Sequence, residues 1–263
     1  MRFYVKKSIR EVIALIFIPG GEGSRALRNA ITENSLRNIV TYVQNGGRFG
    51  GACAGAALMA QNIIYHLPDQ LLTITHCDGT FLFPGTAYGP ALDLYNPDHT
   101  HGSARCANFE WASSPTESID PSVQRALSAR MALYWNGGCV FALPSATLTD
   151  ACTTCFRYAD PIYGPTADQL ARANAEDFPA IIIGQHGNGH YILFGPHPEL
   201  MPSLFDVFHS QIGLTVPGLN QLSNYWQLLT RWAPRQATLV LAYCLHRLGL
   251  RVRNWEQFIV SDI

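Results

Sequence analysis

Gly46-Gly47-Arg48-Phe49-Gly50-Gly51-Ala52-Cys53-Ala54-Gly55 is the stretch on which the fold turns. Its centre, Gly51-x-Cys53-x-Gly55, has the form of a nucleophile elbow, G-x-S-x-G with sulfur in place of oxygen. Such a turn joins a strand to a helix so sharply that only small neighbours relieve the crowding. The reading predicts a short strand near Arg48 to Ala52, a turn at Cys53, and a helix over Ala54 to Ile64. A helix N-terminus behind the turn favours a thiolate, and the Ala54 N–H would face a developing oxyanion. Alone, the same letters also describe a small buried cysteine beside a glycine turn.

Moving upstream, Leu36, Ile39, Val40 and Val43 recur at helical spacing within Thr32 to Gln44, and Asn45-Gly46-Gly47 is a C-cap signal. Before that helix lies the apolar run Val12 to Ile18, ending at Pro19-Gly20-Gly21. With Arg2, Lys6, Lys7 and Arg10 ahead of it, the run imitates a signal peptide. It is short, however, Glu11 stands at its edge, and no small-x-small cleavage site follows. An unbroken apolar run suits a parallel strand covered on both faces. Strand, helix, strand, turn and helix together predict a doubly wound, mostly parallel α/β sheet. Gly20 or Gly21 would supply a second oxyanion donor where a backbone must approach closely.

Downstream, Leu71 to about Asp160 breaks into short apolar runs separated by Pro, Gly, Asn and Asp. Strands are expected at Leu71–His76, Phe81–Phe83 and Met131–Trp135, as antiparallel decorations of the sheet. Ile181–Ile183 and Tyr191–Phe194 flank Gly187-Asn188-Gly189, a hairpin signal. The second of these strands runs into Gly195-Pro196-His197-Pro198-Glu199. In an extended segment residues i and i+2 share a side, so Glu199 would orient the His197 imidazole toward Cys53. A final helix is expected around Gln236 to Leu248, with Gly249 past its end.

The composition narrows the function classes. Of 263 residues 48% are hydrophobic and 14% charged, the formal net charge is −1, and Lys6 and Lys7 are the only lysines. No basic stripe for nucleic acid, no polybasic membrane patch and no spanning apolar run is present. The length suits a single domain over residues 1–263. Seven irregularly spaced cysteines argue for a reducing compartment, the cytoplasm, rather than a disulfide framework. Cys152-Thr153-Thr154-Cys155 has no second pair to complete a zinc site. His99 and His101 near Asp98 read as solvated loop residues, Glu22 as a solvated carboxylate, and Tyr225, Trp226, Trp232 and Trp255 as helix packing. No metal and no cofactor is expected.

The three pieces Pro19-Gly20-Gly21, Cys53 elbow and His197-Pro198-Glu199, in this order, resemble the class I glutamine amidotransferase-like superfamily, whose sheet is flavodoxin-like. More narrowly the chain resembles the family named for the N-terminal region of eukaryotic biotin–protein ligases. The likeness is carried further by Tyr134-Trp135-Asn136-Gly137-Gly138, Arg157-Tyr158-Ala159-Asp160, Gly187-Asn188-Gly189-His190 and Leu245-His246-Arg247-Leu248-Gly249-Leu250, and the Asn136-Gly137-Gly138 segment is what points to the narrower family. The resemblance implies Cys53 as nucleophile, His197 as base and Glu199 as orienting acid. Such folds place a strand, a helix and part of a second strand before the Pro-Gly-Gly strand. Here about a dozen residues precede it, so the chain is expected to start late, with Phe3–Val5 a remnant of that second strand. Nothing matches a biotin ligase catalytic domain: there is no G-R-G-R-x-G segment and no P-loop.

The expected chemistry is amide hydrolysis or amide transfer through a thioester on Cys53, with a small-molecule amide or peptide-like substrate. An acceptor enzyme would be a partner if ammonia is passed on. Tyr134, Asn136 and Gly137 are candidate substrate contacts; the same residues also fit an ordinary turn. A non-catalytic binding or regulatory module that keeps the fold is the other class left open.

Overall fold

A computed structural model describes residues 13–20, 30–67, 70–93, 105–112, 130–143, 152–173, 177–199 and 234–250. Within these, the first strand, β1 (Ile16–Ile18), is followed by helix α1 (Glu33–Gln44), strand β2 (Arg48–Ala52) and the one-turn helix α2 (Ala54–Ala57). The order then runs β3 (Ala60–His66), β4 (Leu71–Thr75), β5 (Phe83–Gly89), β6 (Arg105–Trp111), β7 (Arg130–Trp135), β8 (Val140–Ala142) and β9 (Cys152–Tyr158). Helix α3 (Gly164–Arg172), the hairpin β10 (Pro179–His186) and β11 (Gly189–Phe194), and helix α4 (Pro234–Arg247) complete it.

Local chemistry explains the element ends. The Thr32 hydroxyl caps α1 by accepting from Ser35 N at 3.2 Å. At the other end Gly46 takes φ +97°, letting Gly46 N and Gly47 N donate to Val43 O and Tyr42 O at 2.8 and 2.9 Å. That pairing satisfies carbonyls the helix leaves orphaned. Helix α4 ends in the same way at Gly249, φ +72°, with Leu250 N donating to Leu245 O at 3.0 Å.

The strands form two sheets. The larger has seven strands in the order β1-β2-β11-β10-β9-β6-β7, and the smaller has four in the order β4-β3-β5-β8. The α/β class expected from sequence is present, but the larger sheet is mixed. Its parallel part is β1-β2-β11, and the pairings from β11 outward to β7 are antiparallel. Its two faces carry separate apolar clusters. One joins Leu36, Val40 and Val43 of α1 to the smaller sheet through Ile63, Phe83 and Phe141; the other packs Leu239, Val240 and Cys244 of α4.

Three expectations need correcting. The helix expected over Ala54–Ile64 stops at Ala57, and Ala60–His66 is a strand instead. The run Ile63-Ile64-Tyr65 is β-branched and aromatic, and β3 finds partners on both sides, β4 antiparallel and β5 parallel. The strand expected at Phe81–Phe83 begins only at Phe83 and extends to Gly89. Of the apolar run expected as a strand over Val12–Ile18, the described residues pair over Ile16–Ile18, and Val12 lies outside them. Phe3–Val5, Gly21, Glu22, Asp98, His99, His101, Tyr225, Trp226, Trp232 and Trp255 lie outside the described residues. No helix among the described residues is long and apolar enough to cross a membrane.

Candidate active site

The parallel strands bring the expected pieces to one edge. Residues 19–20 leave β1, Cys53 leaves β2 and His197 follows β11, all at the carboxyl ends of neighbouring strands, where open α/β sheets bind ligands. Cys53 N donates to Phe194 O at 2.7 Å, which continues the β2–β11 ladder past its last paired residues and ties the elbow to the histidine segment.

Cys53 sits at φ 47°, ψ −114°, a left-handed conformation costly for any residue with a β-carbon. Glycines make the bend possible. A β-carbon on Gly55 would come within 2.3 Å of Ile18 O, and one on Gly51 within 2.7 Å of Gly55 O. Ala54 opens α2, and as the first helical residue its N–H has no acceptor within the helix. The helix is a single turn, so its dipole at Cys53 is smaller than the sequence suggested.

His197 and Glu199 meet as expected, although residues 195–199 form a bend and turn rather than an extended strand. Nδ1 lies 3.0 Å from Glu199 Oε1, with the side chains 6% and 16% exposed. Burial alone would push the imidazole pKa down. Hydrogen bonds to Cys53 and Glu199, together with their charges, outweigh it and push His197 up to about 10. With Nδ1 engaged by the carboxylate, Nε2 is the ring nitrogen left for the thiol. Glu199 Oε2 is buried and has no hydrogen-bond partner among the described residues.

Gly20 lies against both partners. A β-carbon there would stand 2.2 Å from His197 Cε1 and 2.8 Å from Cys53 Cβ. Its N–H points at Glu199 Oε1, 3.5 Å away, and Gly21, the other oxyanion donor expected, lies outside the described residues.

The Tyr134–Gly138 segment closes the site from the other side. Tyr134 O accepts from His197 N at 2.8 Å, and the tyrosine ring meets the imidazole edge-on at 5.4 Å between centroids. Cys53 Sγ donates to Asn136 O at 3.4 Å. Gly138 has no room for a side chain, because a β-carbon would fall 1.9 Å from Gly195 O. Beneath this turn Trp135 Nε1 donates to the Tyr158 hydroxyl at 3.2 Å, which donates to Cys139 O at 3.0 Å. Sequence reasoning missed Tyr65, whose hydroxyl donates to Gly137 O at 2.9 Å. It reaches the turn from β3 of the smaller sheet, a contact no local pattern signals.

The other motifs fall elsewhere. Cys152 and Cys155 stand three residues apart in β9 and so face opposite sides of the sheet, one in each apolar cluster. Asp160 accepts from Asn108 N and Nδ2, both at 2.8 Å, and Arg157 pairs with Asp177 at 2.9 Å. All seven cysteines are free thiols. Among the described residues, no group of three or more His, Cys, Asp or Glu is placed to hold a metal.

Residues 5–262 match the family model described as biotin-protein ligase, N terminal. The chain belongs to that family. It is 26% identical over 186 residues to a biotin–protein ligase of Schizosaccharomyces pombe, an alignment covering 71% of this chain and 25% of the ligase. It is 28% identical over 192 residues to an uncharacterised protein of Chlamydia muridarum, covering 73% of this chain and 62% of that protein. The match thus spans a quarter of the first relative's length and less than two thirds of the second's. Among solved structures, a glutamine amidotransferase from Thermotoga maritima superposes with a TM-score of 0.47 at 14% identity. That superposition covers 98% of this chain and 83% of the other. A second glutamine amidotransferase gives 0.39 at 17% identity, covering 78% and 82%.

Proposed function

We propose that this family member is a cysteine-nucleophile amide hydrolase or amidotransferase, with Cys53, His197 and Glu199 as nucleophile, proton carrier and orienting acid. The observation that carries the reading is a cysteine held in a strained turn, hydrogen-bonded to a buried histidine whose other ring nitrogen is 3.0 Å from a carboxylate. Its substrate would be a small-molecule amide or peptide-like carboxamide, and its setting a reducing one, the cytoplasm. Passing ammonia onward would require an acceptor enzyme as partner.

In the reaction Sγ forms a bond to the carboxamide carbon while His197 already holds the proton. The carbonyl π pair moves onto oxygen, where the Ala54 N–H would meet it. Return of the π pair breaks the C–N bond as His197 gives its proton to the leaving nitrogen, releasing ammonia. Water then attacks the thioester and restores the thiol. Tyr134 would serve chiefly by holding the imidazole in place, and Asn136 and Gly137 would border the substrate.

One observation favours the rival reading, a binding or regulatory module: the thiol faces a carbonyl oxygen, Asn136 O. Alkylation by iodoacetamide separates the two. The comparison thiol is Cys77, which is exposed. Cys53 is expected to react faster than Cys77 well below the free-thiol pKa of about 8.5. Ammonia release from primary carboxamides is expected to disappear in Cys53→Ala. Labelling of Cys53 no faster than that of Cys77, or amidase activity surviving Cys53→Ala, would overturn the proposal.

A further inference from the structure

The Tyr134–Gly138 turn is held from two directions. Toward the cysteine, Tyr134 O accepts from His197 N at 2.8 Å and Asn136 O from Cys53 Sγ at 3.4 Å. Toward the smaller sheet, Gly137 O accepts from the Tyr65 hydroxyl at 2.9 Å and Gly138 O from Ala91 N at 2.8 Å. Of these four donors, Tyr65 supplies the one side chain that comes from outside the site.

Resting on the hydrolase reading above, we infer that Tyr65 is a positioning residue: through Gly137 O its hydroxyl fixes how closely the Asn136 carbonyl stands to Cys53 Sγ, and so the balance between thiol and thiolate. The smaller sheet is then a working part of the site and not a decoration of the larger one.

The fold gives Tyr65 a clear path. It pairs with Gly89 in the parallel register of β3 and β5, and a β-carbon on Gly89 would fall 2.5 Å from Tyr65 Cδ2. The ring therefore lies across bare backbone, an aromatic covering a glycine on the neighbouring strand. On the opposite side, Gly138 is packed against Gly195 O with no room for a side chain. Asn136 O and Gly137 O belong to successive peptides joined at the Gly137 α-carbon, so a hold on one restrains the other.

The chemical consequence has a sign. A carbonyl oxygen beside sulfur accepts from a thiol and repels a thiolate, so a turn held close opposes the thiolate–imidazolium pair with His197. Among the described residues, the ionisable groups facing Cys53 are His197 with Glu199, Cys139 just before β8, and Tyr158 at the end of β9. Burial pushes Cys139 and Tyr158 well above their ordinary values, so both stay neutral while Cys53 and His197 titrate.

The test follows alkylation of Cys53 by iodoacetamide against pH in the full chain. Tyr65→Phe keeps the ring and removes the hydroxyl. Thr75→Val is the control, removing a hydroxyl that bonds Asn62 between β4 and β3. Loss of one hydrogen bond is expected to speed Tyr65→Phe labelling about 2- to 10-fold on the acid limb of the profile, where rate follows thiolate fraction. On the plateau, where sulfur is ionised in both proteins, the rates should coincide, and Thr75→Val should keep the wild-type profile throughout. Acceleration by one factor at every pH marks a site merely opened and overturns the inference. An unchanged or slower Tyr65→Phe profile also overturns it, as does an equal shift in Thr75→Val. Should Tyr65→Phe fail to fold, Gly89→Ala displaces the ring with the hydroxyl still present and is expected to shift the profile the same way. A folded Gly89→Ala with the wild-type profile overturns the inference. Wild-type Cys53 that labels no faster than Cys77 overturns the hydrolase reading and the role of Tyr65 with it. Wild-type Cys53 ahead of Cys77, with Tyr65→Phe unchanged, overturns the role of Tyr65 alone.

Discussion

Cys53 pays for its position in backbone strain of about 1–3 kcal/mol, since φ 47° is hostile to a β-carbon. Removing the sulfur alone keeps that cost, while removing the β-carbon as well relieves it. Cys53→Gly is therefore expected to be more stable than Cys53→Ala by about 1 kcal/mol in urea unfolding, the reverse of the usual ranking of glycine and alanine. Equal stability of the two would mean that the turn is unstrained. His197 makes a second prediction. Its ordinary value is 6.5 and its folded value is pushed up to about 10, so between those values the native state holds more protons than the unfolded chain. Stability from this group is thus complete below pH 6.5 and lost as pH rises toward 10. The stability difference between the wild type and His197→Gln is expected to shrink over that range; a constant or widening difference would contradict the assignment. Cys53, His197 and Glu199 were legible because each stands in a short motif whose geometry is local. The roles of Tyr65 and the Asn136 carbonyl were not, because they depend on which strand of another sheet lies beside the turn.

Elements were legible where their ends carry chemistry. Helices α1 and α4 fall where apolar periodicity and a closing glycine place them, and Gly249→Ala should measure what that glycine contributes. At φ +72°, with the Arg48 guanidinium no nearer than 3.5 Å to an added β-carbon, the cost is conformational and not steric. A loss of about 1 kcal/mol in unfolding free energy is expected. Gly79→Ala, at φ +79° with nothing within 4 Å of an added β-carbon, is expected to lose about as much. No loss in either variant would remove the conformational explanation. The sequence misled where two structures share one composition: Ala54–Ala57 and Ile63–Tyr65 read as one helix, yet a strand with partners on both sides wins. The smaller sheet stayed hidden because its pairings join distant segments, β5 to β8 among them. Strand β9 was not expected because Thr153 and Thr154 interrupt the apolar run between Cys152 and Tyr158.

At the scale of the molecule those cysteines become reporters. Cys152 belongs to the apolar cluster under α1 and the smaller sheet, and Cys244 to the one under α4. Burial pushes Cys152 up to about 12 and Cys244 well above the ordinary thiol value, the latter helped by the neighbouring Cys155 charge. Both should therefore be inert to alkylation in the native protein. The two clusters share a wall: β9, β10 and β11 contribute side chains to both, with Cys152 and Cys155 on opposite faces of one strand. Neither layer can lose its packing without stripping one face of a sheet that the other needs intact. In a Cys53→Ala, Cys77→Ala background, Cys152 and Cys244 are accordingly expected to become reactive at the same urea concentration and with the same steepness. Earlier exposure of Cys244 would instead make the α4 layer a separate unit that opens on its own. In that case only the α1 side of the sheet would remain packed under the strand ends that hold Cys53 and His197, and labelling of Cys53 in the otherwise unchanged protein should alter at the same urea concentration.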